Sequence, residues 1–300
     1  MHLRSPRELS YRLWQEASNL RLALAPPRLP RSFAPEWPLP GLPDGRQVAA
    51  QLRGSPFELE LKSLAASILT HKIPLLGLTI DCTPPIAWRR DYTTGRETPP
   101  VYFKKLPYLD VSAAGDHKTI WELNRHQHLV LLAQHALFDP APEPILEEIW
   151  SQLSGWIEQN PVQKGINWTS ALEVGFRALS WLWIFHFVGD HIPAALRMRF
   201  LEVLYQHGCH LAVNLSFYFS PNTHLLGEAL ALQALGTLIP QFPGAEQWEV
   251  TGRTTLTAEL RKQVQSDGSY FEQSSYYHVY ALDMLLFHGI LTKSSTVEFD

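Results

Sequence analysis

From Asp116 onward the chain is cut into apolar, helix-length pieces by breakers at Pro140, Pro142, Pro161, Pro193, Pro221, Pro240, Pro243 and the Asp267-Gly268 pair. Proline lacks a backbone donor and clashes with the preceding turn, so an ordinary helix ends at such points. Between them apolar residues recur near a helical period. This predicts helices near 118–137, 143–159, 169–189, 193–215, 223–238, 244–265 and 275–292. Helices of this length joined by short turns pack as α-hairpins, stacked or closed into a ring. The expected fold class is all-α.

The first third reads differently. Leu9, Leu13, Ala17, Leu20 and Leu24 fall near one face of a helix over 7–24. The proline-rich stretch Pro26 to Pro43 is an extended strap or linker. Helical pattern resumes over 56–71, and Leu75 to Asp81 is a short strand candidate. Thr83 to Gly115 carries Pro84, Pro85, Gly95, Pro99, Pro100 and Pro107 and reads as a long irregular, functional loop. Two units are expected: a helix and strap over 1–45, and a helical domain over 46–300.

Several functional classes are disfavoured. Lys plus Arg number 25 against 29 Asp plus Glu, a formal net charge of −4, which argues against a general nucleic-acid binder. A few Arg and His lining a cleft still set the field an anionic substrate meets. Cys82 and Cys209 are too few and too scattered for a disulfide framework or a cysteine zinc site. The best candidate for a membrane span, Ala178 to Val188, is too short to cross a bilayer and leads into Asp190. Met1 to Leu24 alternates charges with Leu and Trp and reads as an amphipathic helix, not an export signal. Phosphate-loop, His-Glu-x-x-His and Gly-x-Ser-x-Gly patterns are absent, and the 13 His are dispersed. Neither a metal nor a cofactor is expected.

Four segments concentrate polar and aromatic residues at helix starts. Trp121, Arg125 and His128 are spaced to share one helical face and could present a ring, a cation and an imidazole to an acidic sugar. Thr119 and Glu122 also fit a capping box. Asn167-Trp168-Thr169-Ser170 leads into Glu173, Arg177 and Trp181, again one face. There a Ser170–Glu173 capping box and a Glu173–Arg177 ion pair would explain Glu173 without a substrate. Asn222-Thr223-His224 sits where a helix begins, near its positive end, a suitable place to hold a carboxylate or simply to cap the helix. Gln273-Ser274-Ser275-Tyr276-Tyr277-His278 follows the Asp267-Gly268 turn and offers an acid–base tyrosine, or an ordinary core residue with a wet hydroxyl.

In this order, from Leu9 through Trp88-Arg89-Arg90-Asp91 to His288, these segments resemble the heparinase II/III-like family of polysaccharide lyases, in its N-terminal helical domain. The resemblance implies an incomplete (α/α) toroid that cleaves an acidic polysaccharide by β-elimination. It selects Tyr277 of the Tyr-His pair as the catalytic acid or base. It assigns neutralisation of the substrate carboxylate to Asn222 or His224, without separating the two. Trp121, Arg125, Asn167, Glu173, Arg177 and His278 are the expected substrate-binding residues. Family members usually continue into a C-terminal β-sandwich that walls the cleft. This chain stops before it, so a truncated toroid, possible need of a partner domain, and a structural zinc lying beyond this chain are the matching expectations. Family lyases are often periplasmic. A non-catalytic glycan-binding or assembly module on the same toroid is the alternative, and an inverting hydrolase using two of Glu122, Glu173, Glu228, Asp267 and Glu272 ranks third.

Overall fold

The structure is a computed structural model that describes residues 5–293. Residues 1–4 and the final stretch 294–300, where the sequence shows no clear terminal element, lie outside the described residues.

The elements in chain order are α1 (Pro6–Leu24), α2 (Gly45–Leu52), α3 (Pro56–Leu69), β1 (Lys72–Leu75), β2 (Leu78–Asp81), α4 (Val111–Ala114), α5 (His117–Asn124), α6 (Gln127–Ala136), α7 (Glu143–Gln159), α8 (Ala171–Val188), α9 (Ala194–Asn214), α10 (Thr223–Leu238), α11 (Ala245–Gln263) and α12 (Ser275–Thr292). Local chemistry explains many of the starts. Ser5 and Ser55 accept a hydrogen bond from the backbone of Glu8 and Glu58, with Pro6 and Pro56 in the first helical position. Helix α2, too short for a periodicity reading, is begun by Asp44, whose carboxylate accepts from the Arg46 and Gln47 amides. The strand candidate is the second arm of a two-stranded antiparallel hairpin, turned at Leu76 and Gly77, both with positive φ.

From α6 onward the helices form two layers. Helix α6 packs on α8, α8 on α10 and α10 on α12, while α7 packs on α9 and α11 lies along α10. This is an open arc of helix pairs, an incomplete (α/α) toroid. Its core helix α10 is apolar all round, as a helix covered on every side must be. Gly236 of α10 and Gly252 of α11 let the two backbones touch: a Cβ on Gly236 would collide with the backbone of Ala245 and Glu249, and one on Gly252 with that of Ala229 and Gln233. The N-terminal segment is sewn to the arc. Tyr11 donates to Leu215 O, Asn19 and Asn214 exchange amide hydrogen bonds at 2.8 and 2.9 Å, Trp37 Nε1 donates to Phe185 O at 2.7 Å, and Phe33 stacks on Phe242.

Two expectations are corrected. The single helix over 118–137 is two, because His126 adopts a left-handed conformation (φ 61°) between α5 and α6. Its fully buried ring is enclosed by Trp88, Trp156 and Trp181, and Trp181 Nε1 donates to its Nδ1 at 2.8 Å. Tertiary packing overrides the local helical pattern there. Secondly, the segment Ala171–His191 is long and apolar enough, at a mean hydropathy of 1.2, to cross a membrane; 78% of that window is buried inside the protein, as for a core helix.

Candidate active site

Contacts of Arg125 with Glu173 and Tyr280, and of Asn222 with Glu272, bring the starts of α8, α10 and α12 and the α5–α6 joint together at one end of the fold. All four polar-aromatic segments of the sequence lie there or just beneath. Side-chain hydrogen bonds tie them across the helices.

Arg125 is the hub. Its Nε and Nη2 donate to the two oxygens of Glu173 at 2.7 and 2.9 Å, and Nη1 reaches Glu122 at 2.8 Å and the Tyr280 hydroxyl at 3.4 Å. Its guanidinium also lies over Phe176, 4.9 Å from the ring centre. Burial opposes the charge, but hydrogen bonds and attraction from Glu173 outweigh it and hold the guanidinium well above its usual pKa. Burial raises Glu122 despite Arg125, and raises Tyr280. The pairing corrects both capping boxes. Helix α5 is capped by Asp116, not Thr119, and Ser170 makes no side-chain cap, leaving Glu173 to face Arg125 across the helices rather than Arg177 along one. Expected as free substrate ligands, Arg125 and Glu173 satisfy one another.

Asn222 caps α10 and does more than cap. Its Oδ1 accepts from the His224 amide at 3.1 Å and its Nδ2 donates to Glu272 at 3.0 Å. The other Glu272 oxygen accepts from the Thr223 hydroxyl, whose oxygen also lies 2.8 Å from the Tyr270 hydroxyl. Tyr270 in turn donates to Gln263 at 2.6 Å, so the loop entering α12 is pinned to the start of α10. The half-buried His224 imidazole has a lowered pKa: desolvation outweighs the attraction of Glu173 and Glu272, and Arg125 adds to the lowering. It is neutral at pH 7 and able to donate or accept a proton.

Tyr277 and His278 occupy the exposed first turn of α12, which Ser274 caps by accepting from the Tyr277 amide. Tyr277 is 43% exposed, and its ring meets Tyr276 edge-on. One turn on, Tyr280 points to the Arg125 cluster and stacks on Tyr276. Sequence reasoning passed over Tyr280, although the Tyr276-x-x-x-Tyr280 spacing puts two rings on one face.

Asn167 and Arg177 are corrected from the substrate face to the interior. Asn167, 1% exposed, donates to Trp88 O and Asn160 Oδ1. Arg177, fully buried, donates to His207 Nε2, Asn167 O and Asn124 O, and lies 4.5 Å from the Trp156 ring centre. With only neutral acceptors in contact, its pKa falls to about 9 through burial. Trp121, half-buried, spends its Nε1 on Ile166 O and packs its ring on His117. His128 is buried against Gln152 and, across the α5–α6 break, does not share a face with Trp121 and Arg125. Among the described residues no three His, Cys, Asp or Glu side chains are grouped to hold a metal ion.

Residues 84–300 match the family described as heparinase II/III N-terminus. The heparin-sulfate lyase of Pedobacter heparinus is 32% identical over 182 residues, covering 57% of this chain and 26% of that protein. The heparin-sulfate lyase of Bacteroides thetaiotaomicron is 30% identical over 164 residues, 53% of this chain and 23% of that protein. The chain thus spans about a quarter of the length of these curated relatives. A crystal structure of a Pedobacter heparinus heparan sulfate lyase mutant superposes with a TM-score of 0.61 at 22% identity, over 96% of this chain and 40% of that one. Heparinase III superposes at 0.59 and 17% identity, over 98% and 42%. These superpositions speak to the shared helical fold. With well over half of its length matched by the family model, the chain belongs to the heparinase II/III N-terminal family.

Proposed function

We propose that this chain carries the helical half of a polysaccharide lyase site that cleaves a uronate-containing acidic glycan, of the heparan sulfate type, by β-elimination. The observation that supports this best is the restraint on Asn222. Its amide is held from both ends, by the His224 N–H and by Glu272, beside a neutral, half-buried imidazole at a helix start.

The chemistry asks for such a group. Removing the C5 proton of a uronate leaves a carbanion beside a carboxylate, unless the carboxylate is hydrogen-bonded so that charge spreads onto it as an enolate. In this reading the second Nδ2 hydrogen of Asn222, the α10 N-terminus and the His224 ring bind that carboxylate. Tyr277, entering the step as its phenolate, takes the C5 proton and passes that proton to the C4 oxygen. The C4–O bond breaks, a C4–C5 double bond forms, and the leaving sugar departs with its oxygen protonated. Arg125 acts from behind, fixing Glu173 and Tyr280 instead of meeting substrate.

The test is ultraviolet absorbance during incubation with uronate polysaccharides, because elimination creates a conjugated unsaturated uronate. A rise with heparan sulfate supports the reading. Silence from this chain and from a version extended beyond Asp300 would replace it with a glycan-binding module. A signal from the extended version alone would make the site one that a further domain completes.

A further inference from the structure

A groove outside the residues assigned above runs between α1, the 215–222 loop and the segment entering α12. Tyr11, Phe217, Tyr218 and Phe271 line it, with Arg7 and Lys262. The loop rings are open to solvent: Phe217 is 38%, Tyr218 37% and Phe271 38% exposed. They form a patch with α1, since the Tyr11 ring lies 5.3 Å from Tyr218, 6.0 Å from Phe217 and 5.6 Å from the half-exposed Trp14. Large apolar groups gathered at a surface mark binding sites more often than chance.

The patch is rigidly mounted. The amide and hydroxyl of Ser216 both donate to the buried Glu228 carboxyl at 2.7 Å, Tyr11 donates to Leu215 O, and Gln263 donates to Pro221 O at 3.3 Å. It also adjoins the candidate reacting site. Pro221, which lines the groove, precedes Asn222, and Phe271 precedes Glu272.

We propose that this groove is a binding subsite for sugar units flanking the reacting uronate of the same acidic glycan. The inference rests on the lyase reading for the register of the chain. The rings stack on the C–H faces of the sugars, while Arg7 and Lys262 meet their carboxylates or sulfates. Charge complementarity favours this occupant. The lining nets one positive charge: Lys262 pairs with the largely buried Glu259, which also accepts from Gln263, and Arg7 is the further cation. The neighbouring cluster instead carries Glu122 and Glu173 on Arg125 and a further carboxylate, Glu272, on Asn222 and Thr223, so an anionic chain gains its attraction in the groove. An apolar protein partner would strip water from Arg7 and Lys262 without replacing it. A glycan brings its own hydroxyls and anions.

The test measures, by calorimetry on the intact protein, the affinity for heparan sulfate tetrasaccharide and dodecasaccharide, alongside ultraviolet turnover of the tetrasaccharide. The wild type is expected to bind the longer chain more tightly. Tyr218→Ala with Phe271→Ala should lose about tenfold on the dodecasaccharide, equal to ~1.4 kcal/mol, and little on the tetrasaccharide, with turnover kept. Arg7→Ala, at an exposed position of α1, should weaken dodecasaccharide binding most at low salt. Equal affinity of wild type and variants for the dodecasaccharide, or no length preference in the wild type, overturns the subsite. Length-dependent binding lost in the variants while neither this chain nor the version extended beyond Asp300 shows turnover would uphold the subsite and reject the lyase reading instead.

Discussion

Arg125 and Glu173 face each other through two parallel hydrogen bonds, at 2.7 and 2.9 Å, and join the end of α5 to the first turn of α8. With side chains only 16% and 6% exposed, the pair is a structural brace for the site end of the arc. Removing one partner strands the other charge away from water. Arg125→Ala is expected to cost about 3–5 kcal/mol in urea unfolding, and Arg125→Met with Glu173→Leu together far less. A single variant within 1 kcal/mol (roughly the worth of a surface pair) of wild type would show that the charges are solvated.

Asn222→Ala removes a helix cap and the proposed carboxylate donor at once, and the two losses separate by magnitude. The cap contributes about 1 kcal/mol to stability. Loss of an oxyanion-type donor lowers turnover by about a hundredfold or more, ~2–4 kcal/mol in the barrier. Ser at the same position restores the cap without the amide. Asn222→Ser is therefore expected to melt near wild type while still failing to turn over glycan. Normal turnover in that variant would move the role to His224.

Two tyrosines on α12 are separable in the same way. Tyr277→Phe is expected to abolish the ultraviolet signal and leave glycan affinity nearly unchanged, since the hydroxyl moves protons rather than holding substrate. Tyr280→Phe breaks only the long contact to Arg125 and should cost about 1 kcal/mol of stability with turnover kept. The opposite pattern would make Tyr280 the acid–base group.

How much of this was legible in the sequence depended on how local the cause was. The bounds of α7, α10 and α12 follow from breakers within a turn or two of each end, and the sequence positions 143–159, 223–238 and 275–292 coincide with the helices found. The break at His126 did not follow, because its cause is a box of tryptophans drawn from distant segments. Glu173 illustrates the same limit. Its spacing to Arg177 suggested a helix pair, yet its partner is Arg125, on another helix, while Arg177 is spent on His207 and two carbonyls. The clustering of polar segments at helix starts was visible. Which members face outward was not, because Asn167 and Asn222 look alike in sequence and differ only in what packs over them.

Four histidines, His126, His128, His207 and His210, are fully or almost fully buried, and all but His128 feel the Arg177 charge. Desolvation is the chief cause that depresses all of them, His128 to about 4 and His210 to about 3. The native state refuses protons that the unfolded chain takes up at its ordinary value near 6.5. Their contribution is therefore complete above pH ~6.5 and is lost progressively as pH falls toward the native values. The melting temperature is expected to drop steeply from pH 6.5 to 5, and His128→Gln should flatten part of that slope. A melting temperature constant across that range would contradict neutral burial of these rings.

Glu228 titrates in the opposite sense. Buried inside α10, its carboxyl is pushed up to about 8 by desolvation, which the two Ser216 hydrogen bonds only partly offset. Since the native value lies above the unfolded one, near 4.3, its favourable share is complete below that value and disappears as pH rises through 8. Above that pH the cost of desolvating a buried carboxylate remains, and the two Ser216 hydrogen bonds, which favour the ionised form, only partly offset it. Glu228→Gln keeps a hydrogen-bonding side chain without the titration. The difference in unfolding free energy between wild type and this variant should shift toward the variant as pH is raised from 5 to 9. A pH-independent difference would mean that Glu228 is already ionised in the folded protein.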